Sequence, residues 1–228
     1  MFNSIIGDSR NKFKSGISAT YDDYNELVNT DVYQRSENSF GAFFEYSYDN
    51  LGDLNLTAGL RIDTSNLLGT FLTPRLHARY TPWEDSAFRI SAGRGKRSAN
   101  IFTENQKMFA SSRRINILDS NGSIYGLDPE IAWNYGISFS QKFNVFGKKS
   151  EITLDYYKTD FVNQIVVDWE NPREVNFYNL KEKSIATSFQ AEFNINILEG
   201  FDFRTAYKYY NVKTDYTSGR LDRPLTPK

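Results

Sequence analysis

Along most of this chain apolar and polar residues alternate with a period of two, the spacing of a strand whose two faces meet different surroundings. Residues 54–63 show it: Leu54, Leu56, Ala58, Leu60 and Ile62 interleave with Asn55, Thr57, Gly59, Arg61 and Asp63. Residues 184–195 repeat it, with Ile185, Thr187, Phe189, Ala191, Phe193 and Ile195 on one face. Ser184, Ala186, Ser188, Gln190, Glu192 and Asn194 take the other. The same alternation runs through 13–21, 40–48, 74–80, 88–92, 133–143, 152–156 and 201–209. It predicts about ten antiparallel strands, several longer than the roughly 5–6 residues common in soluble sheets. Lengths near ten are what a tilted strand needs to cross a bilayer.

The connections carry a second pattern. Tight turns are predicted at 49–53 (DNLGD), 82–85 (PWED), 146–149 (FGKK) and 198–200 (LEG), each rich in residues that accept turn dihedrals. Long polar loops are predicted near 23–36, 64–73, 95–130 and 163–183. Short and long connections alternate, which places every short turn at one end of the sheet. Membrane-spanning β-barrels of bacterial outer membranes have that asymmetry, and a two-layer soluble sandwich has no reason for it. Residues 163–178 (NQIVVDWENPREVNFY) read as the preceding strand carried beyond the membrane through Ile165, Val167 and Trp169. Pro172 would then turn the chain, and Val175 and Phe177 would begin the return. A separate small hairpin is the alternative.

Composition sharpens this picture. Aromatic residues make up 16% of the chain, with 15 Tyr and 18 Phe, yet 24% of residues are charged and the mean hydropathy is −0.56. A barrel accommodates both facts, with rings toward lipid and polar groups toward a wet interior. Arg61, Arg75, Arg79, Arg89 and Arg204 all fall on the polar phase of their strands. On the lipid face each would cost about 2–4 kcal/mol at mid-membrane. Tyr46, Tyr48, Tyr80, Trp83, Trp133, Tyr207, Tyr209 and Tyr210 gather near strand ends, where amphipathic rings suit the membrane interface. Cross-strand ring pairing would place them there too. No stretch approaches the roughly 20 apolar residues of a spanning helix. The opening MFNSIIGDSR lacks the features of a secretory signal, so an export signal would have to lie outside these residues. With 27 Lys+Arg against 28 Asp+Glu, the chain has no basic excess to recruit nucleic acid. The absence of cysteine removes disulfides and thiolate sites, and a single histidine cannot build a His-rich metal centre.

Candidate chemistry is sparse. The GRGK run at 93–96 lacks the spacing of a phosphate-binding loop and reads as a strand end. His77 lies on the polar phase beside Arg75 and Arg79, with no pattern marking a nucleophile or an orienting carboxylate. Asp22–Asp23 and Glu84–Asp85 read as solvated charge, and the sequon-like Asn121–Gly122–Ser123 reads as a turn. Neither catalysis nor a cofactor is implied. The long loop 95–130 is different: Arg94, Lys96, Arg97, Lys107, Arg113 and Arg114 are interleaved with Phe102, Phe109 and Tyr125. Loops beyond about 15 residues are commonly functional, and a basic aromatic loop above a barrel mouth could draw an anionic, partly apolar ligand. Arg94, Arg97, Arg113, Arg114, Phe102, Phe109 and Tyr125 are the candidate ligand contacts. Pairing of the arginines with lipopolysaccharide phosphates or interior carboxylates is the alternative.

The motifs GLRID (59–63), PRLHARY (74–80) and FRISAGRGKR (88–97), the last opening a long loop, resemble the barrel of TonB-dependent outer-membrane receptors, most of all those of the Bacteroidetes type. DFVNQIVVD (160–168), REVNFYNL (173–180) and SFQAEFN (188–194) extend the resemblance over most of the chain. The resemblance implies an all-β, antiparallel transmembrane barrel of about 22 strands with a plugged lumen. It implies import of a scarce nutrient such as a siderophore, cobalamin, haem or glycan, with energy passed from TonB. Residues 1–228 would be an internal portion of that barrel, with the plug domain and C-terminal strands absent. The implied setting is the bacterial outer membrane. The implied partners are its lipid and lipopolysaccharide, the TonB complex by way of the plug, and a small-molecule or chelate substrate. Ligand contacts vary with substrate in this family, so none carries over by position. Two other readings remain: a complete small barrel acting as a pore, adhesin or outer-membrane enzyme, and a soluble β-sandwich binding glycans through exposed aromatics.

Overall fold

A computed structural model describes residues 1–119, 121–181 and 183–222. Eleven strands form one antiparallel meander: β1 (Phe2–Ile5), β2 (Asn11–Val28), β3 (Asp31–Asp49), β4 (Leu54–Ser65), β5 (Gly69–Tyr80), β6 (Ser86–Arg97), β8 (Glu130–Val145), β9 (Lys148–Asn163), β12 (Ser184–Leu198), β13 (Phe201–Tyr216) and β14 (Gly219–Asp222). Three short strands, β7 (Arg114–Ile117), β10 (Ile165–Asp168) and β11 (Glu174–Asn179), make a second sheet. Among the described residues β1 and β14 are the edges of the large sheet. The Phe13 strand pairs with β1 and β3 and the Phe201 strand with β12 and β14, so these two do not close a small barrel.

Residues paired directly across an antiparallel ladder share a face, so the register extends each strand's alternation across the sheet. Leu56, Ala78, Ile90, Ile137, Tyr156, Phe189 and Tyr209 form one continuous row. On the opposite face Arg79, Arg89, Ser138, Asp155, Gln190 and Lys208 form another. The apolar face has no covering layer among the described residues, and Leu60, Ile90 and Ile137 are each about half exposed. A two-sheet sandwich is thereby excluded. Apolar area left in water costs about 25 cal/mol per Å², so this face requires a lipid solvent. At about 3.3 Å per residue and a tilt near 40°, the apolar run at 54–62 covers roughly 20 Å of the membrane normal. That approaches the apolar band of about 25 Å in outer-membrane barrels.

The opposite face is a mesh of charges and hydroxyls. Arg61 reaches Asp63 at 2.5 Å and Ser18 at 2.7 Å, and Glu45 receives both Lys14 and Arg75. Arg204 pairs with Glu192 at 2.5 Å. Gly41 makes room for the first of these pairs, because a Cβ there would lie 2.1 Å from Asp63 Oδ1. His77 sits on this face between Thr57 and Ser91.

Connections at 6–10, 50–53, 81–85, 146–147 and 199–200 lie at one end of the sheet. Those at 29–30, 66–68, 98–129, 164–183 and 217–218 lie at the other. Three of the loop expectations need correction. Residues 23–36 are strand almost throughout, turning only at Asn29–Thr30, with Asn29 at φ 56°. Their outward side chains, among them Asp23, Asn25, Gln34 and Ser36, are polar and exposed, while the inward Glu26 and Arg35 are charged, so no apolar alternation marks them as strand. Residues 64–73 shrink to a turn at 66–68, closed by the Thr64–Thr70 hydroxyl pair at 3.0 Å. Residues 163–178 do not continue β9. The separate hairpin forms instead, since β10 and β11 pair with each other and β11 takes β7 as a parallel neighbour. Strict alternation of short and long thus reduces to two long connections, both at the same end.

Candidate functional site at the loop end of the sheet

Those two long connections fold together rather than standing apart in solvent. The first, 98–129, holds a single helical turn α1 (Ile101–Glu104), a 3-10 turn (Gln106–Ala110) and β7. The second, 164–183, holds the β10–β11 hairpin. Period-two apolar residues, Ile115 and Ile117 on β7 and Val175 and Phe177 on β11, line up across the parallel pairing. They bury Ile101, Phe102, Met108, Leu127 and Val28 between the loops and the tip of β2. Leu127, Val175 and Phe177 are wholly shielded. Every buried apolar residue of the described chain except Ala87 lies in this cap or at the strand tip beneath it. The chain's dry core is therefore a roof over the polar face.

Three anchors fix the roof. Asn179 joins its halves, since Nδ2 donates to Asp128 O at 3.0 Å while Asp119 accepts the Asn179 N–H at 2.6 Å. At the far side, Thr217 and Ser218 in the β13–β14 turn donate to Asp168 and Glu170. The strongest anchor is Arg35 on β3, whose side chain is only 10% exposed. Its Nε donates to Glu37 at 2.8 Å and Nη1 to Glu26 at 3.0 Å and to the Tyr125 hydroxyl at 2.6 Å, while Nη2 reaches Asn100. The guanidinium also lies 3.9 Å from the Tyr24 ring centroid and 4.8 Å from that of Tyr125. Burial opposes the Arg35 charge, but hydrogen bonds to Glu37, Tyr125 and Glu26 outweigh it and hold its pKa above the ordinary value. Burial, and then donation to Glu26, push the Tyr125 phenol well above its usual range. Arg97 forks to Glu104 at 2.8 Å and Glu130 at 2.7 Å. Burial alone would raise the Glu104 carboxyl, but Arg97 and the Asn100 N–H bring it below the ordinary carboxylate value.

The seven candidate ligand contacts separate under this geometry. Phe102, 3% exposed, packs edge-on to Tyr125 inside the roof. Arg97 faces the polar side with two carboxylates on it. Outside the roof's buried core lie Arg113, half-buried, and Arg114 and Phe109, both exposed. There Lys107 Nζ sits 5.1 Å and Arg113 Cζ 5.4 Å from the Trp169 ring centroid. Arg113 also donates to Trp169 O at 3.2 Å. Arg114 and Phe109, neighbours of Arg113 and Lys107 in the sequence, are exposed. Arg94 does not join them: it lies on the apolar phase of β6, paired with Trp133. Sequence reasoning missed Trp169 and Arg35. Trp169, an isolated ring in the polar run DWENPRE, was the available signal, whereas nothing local singled out Arg35. Among the described residues no group of three or more His, Asp or Glu could hold a metal ion.

A meander with an uncovered apolar face, a charged opposite face and its long connections gathered at one end is the wall of a transmembrane antiparallel β-barrel. The chain belongs to the TonB-dependent receptor-like β-barrel family, whose family model matches residues 3–228. Its fold is similar to the siderophore receptor PirA from Pseudomonas aeruginosa, with a TM-score of 0.66 and 14% identity over 95% of this chain and 44% of that one. A mutant of the ferric enterobactin receptor PfeA of Pseudomonas aeruginosa in complex with enterobactin gives 0.67 and 13% over 92% of this chain and 34% of that one. The copper transporter OprC gives 0.66 and 11% over 90% and 36%. At such identities the likeness is one of fold, and the chain spans less than half the length of each of these receptors. No curated protein matches the sequence. The family is one of outer-membrane receptors and transporters rather than enzymes.

Proposed function

We propose that this chain forms wall and outer roof of a receptor in the bacterial outer membrane that imports a scarce small-molecule nutrient by TonB-driven transport. The observation that carries the reading is the roof. Two loops fused into one body and tied to the polar face at both sides stand over the path into the lumen. A ligand arriving from outside meets Lys107, Arg113, Arg114, Trp169 and Phe109 first. Cations set around a flat ring steer and hold an anion that also has apolar surface, and an anionic metal chelate is the substrate class we infer from that together with the fold's relatives. The siderophore and ferric enterobactin receptors that share the fold are consistent with that class. Energy from TonB would reach the ligand through a plug domain seated against the polar face. The reading assigns no catalytic residue.

The test is uptake by cells starved of metal, with and without the gene, offered labelled ferric siderophores, haem, cobalamin and copper in parallel. Loss of the gene should abolish accumulation of a ferric chelate. A Lys107→Ala, Arg113→Ala, Trp169→Ala variant at normal abundance should raise its half-saturating concentration about tenfold, as loss of two or three exposed cation–ring contacts would. Unchanged uptake of every compound after gene loss would refute the transport reading. Normal affinity in the triple variant would refute the placement of first contact.

A further inference from the structure

Two arginines of the polar face have no acid to answer them. Arg79 and Arg89 sit directly opposite each other on β5 and β6, a pairing of like charges that costs the ladder stability. Elsewhere on this face Arg61, Arg75 and Arg204 each hold a carboxylate. Among the described residues neither Arg79 nor Arg89 forms an ion pair, and Arg89 donates only to the Ser140 hydroxyl at 3.3 Å. The acid of their own row, Asp155, lies two strands from Arg89. Both arginines stand at the end of the sheet away from the roof, Arg79 beside Tyr80 at the end of β5 and Arg89 close to Ser86 at the start of β6.

The wall is hollowed beside them. His77, Arg79, Arg89, Ser91, Ser138 and Tyr157 line a recess of about 420 Å³. Small residues keep it open, since the row that crosses it runs His77, Ser91, Gly136, Tyr157. A Cβ at Gly136 would lie 2.6 Å from Ser91 Oγ and 2.6 Å from Tyr157 Cε1, so the ring lies across that strand only because the position is glycine. Tyr157 is 50% exposed, which leaves the ring free to meet a ligand. Guanidinium forks grip oxyanions at two points, the hydroxyls add donors, and the ring accepts a flat apolar part. The roof has the same chemistry in Lys107 and Arg113 around Trp169, so a molecule suited to one suits the other. On the turn side of the arginines a second hollow, of about 780 Å³, is lined by Asp53, Glu84, Asp85 and Glu151 against Lys142. An anion is drawn to the arginines and repelled by the acids beyond them, so it halts at the recess.

We propose that this recess is a transit site, distinct from first contact at the roof, where Arg79 and Arg89 hold an anionic chelate by its oxygens with its flat part on Tyr157. The proposal rests on the transport reading and adds a step to it. A site reached only after entry governs the rate of passage and not the affinity of first contact. The test uses cells producing the whole receptor, offered radiolabelled ferric enterobactin, ferric citrate and a ferric hydroxamate in parallel. For whichever chelate the wild type accumulates, binding is measured in de-energised cells and maximal uptake in energised ones. Arg79→Gln with Arg89→Gln, at normal surface abundance, should lower maximal uptake about tenfold and leave the dissociation constant unchanged. Ser91→Leu, which fills the recess and keeps both charges, should do the same, and Lys208→Gln on the same face should change neither quantity. Undiminished uptake in the double variant or in Ser91→Leu, or a loss confined to binding, overturns the transit site while transport stands. Entry of vancomycin, a bulky antibiotic that an intact outer membrane excludes, into double-variant cells also overturns it, by showing that the arginines seal against an acidic segment of the receptor. Accumulation of none of the three chelates by the wild type overturns the chelate-transport reading and this site together.

Discussion

Replacing Arg35 by alanine should release the roof and leave the wall intact. The side chains of Arg35, Glu26 and Glu37 are 10%, 19% and 17% exposed, so the pairs are largely dry. Without the guanidinium, two carboxylates and the Tyr125 hydroxyl share the space with no cation between them. Removing one partner of a buried pair costs about 3–5 kcal/mol, and residual solvent lowers that to about 2–4 kcal/mol here. At about 1.4 kcal/mol per decade, the undocked fraction of the roof rises roughly 30- to 1,000-fold. Hydrogen exchange reads this directly. The amides of Leu118, Gly122 and Leu127, which donate to Phe177, Gly126 and Ile124, should lose protection by that factor. The β4–β5 ladder should exchange as before, because its bonds do not involve the roof. Arg35→Lys keeps the charge but not the fork, and should fall between the two. Unchanged roof protection in the alanine variant would refute the clamp. An equal loss in β4–β5 would show that Arg35 holds the wall instead.

Two further outcomes follow from the same geometry. Leu60→Arg puts a cation on the apolar face near mid-band and should cost about 2–4 kcal/mol in denaturant unfolding from lipid vesicles, against less than about 1 kcal/mol for Thr57→Arg on the polar face; equal costs would refute the assignment of faces. Tyr178 is 3% exposed and donates to Asp168 at 3.1 Å, and burial, then the Asp168 charge, pushes its phenol from 10.0 up to about 12. A pKa raised on folding makes the neutral phenol's contribution complete below pH 10 and lost as pH climbs through about 12. A late phenolate absorbance step should therefore accompany roof opening and shrink by one tyrosine in Tyr178→Phe, with Tyr125 left to ionise late as well; an undiminished step would refute the assignment to Tyr178.

The wall was legible wherever a strand lies inside the bilayer slab, because each residue there meets lipid or water according to its parity. Leu54 to Asp63 and Ile185 to Asn194 show this, and the register carries their alternation across the sheet without exception at Arg61, Arg75, Arg79, Arg89 and Arg204. The same strands became illegible once they left the slab. Asp23, Asn25, Gln34 and Ser36 meet water where lower residues of the same phase meet lipid, so hydropathy no longer records their parity and they read as loop. Within the candidate site, the basic aromatic loop was visible by composition, but composition gave no roles. Phe102 and Tyr125 turned inward to hold the roof, while Arg113, Arg114 and Phe109 stayed outside with an unforeseen Trp169.

What the sequence by itself determined, then, is the sheet: two unlike solvents impose a two-residue rhythm that needs no partner to be read. What only the tertiary structure decided is the roof. Its apolar residues, such as Val28, Ile101, Met108, Leu127 and Phe177, come from three segments far apart in the chain and share no common period. Arg35 becomes a clamp only because Tyr125 and Asn100 are brought from those distances to join Glu26 of its own hairpin. A local pattern reports the surroundings of one strand, whereas a buried charge is defined by the partners that exclude water from it.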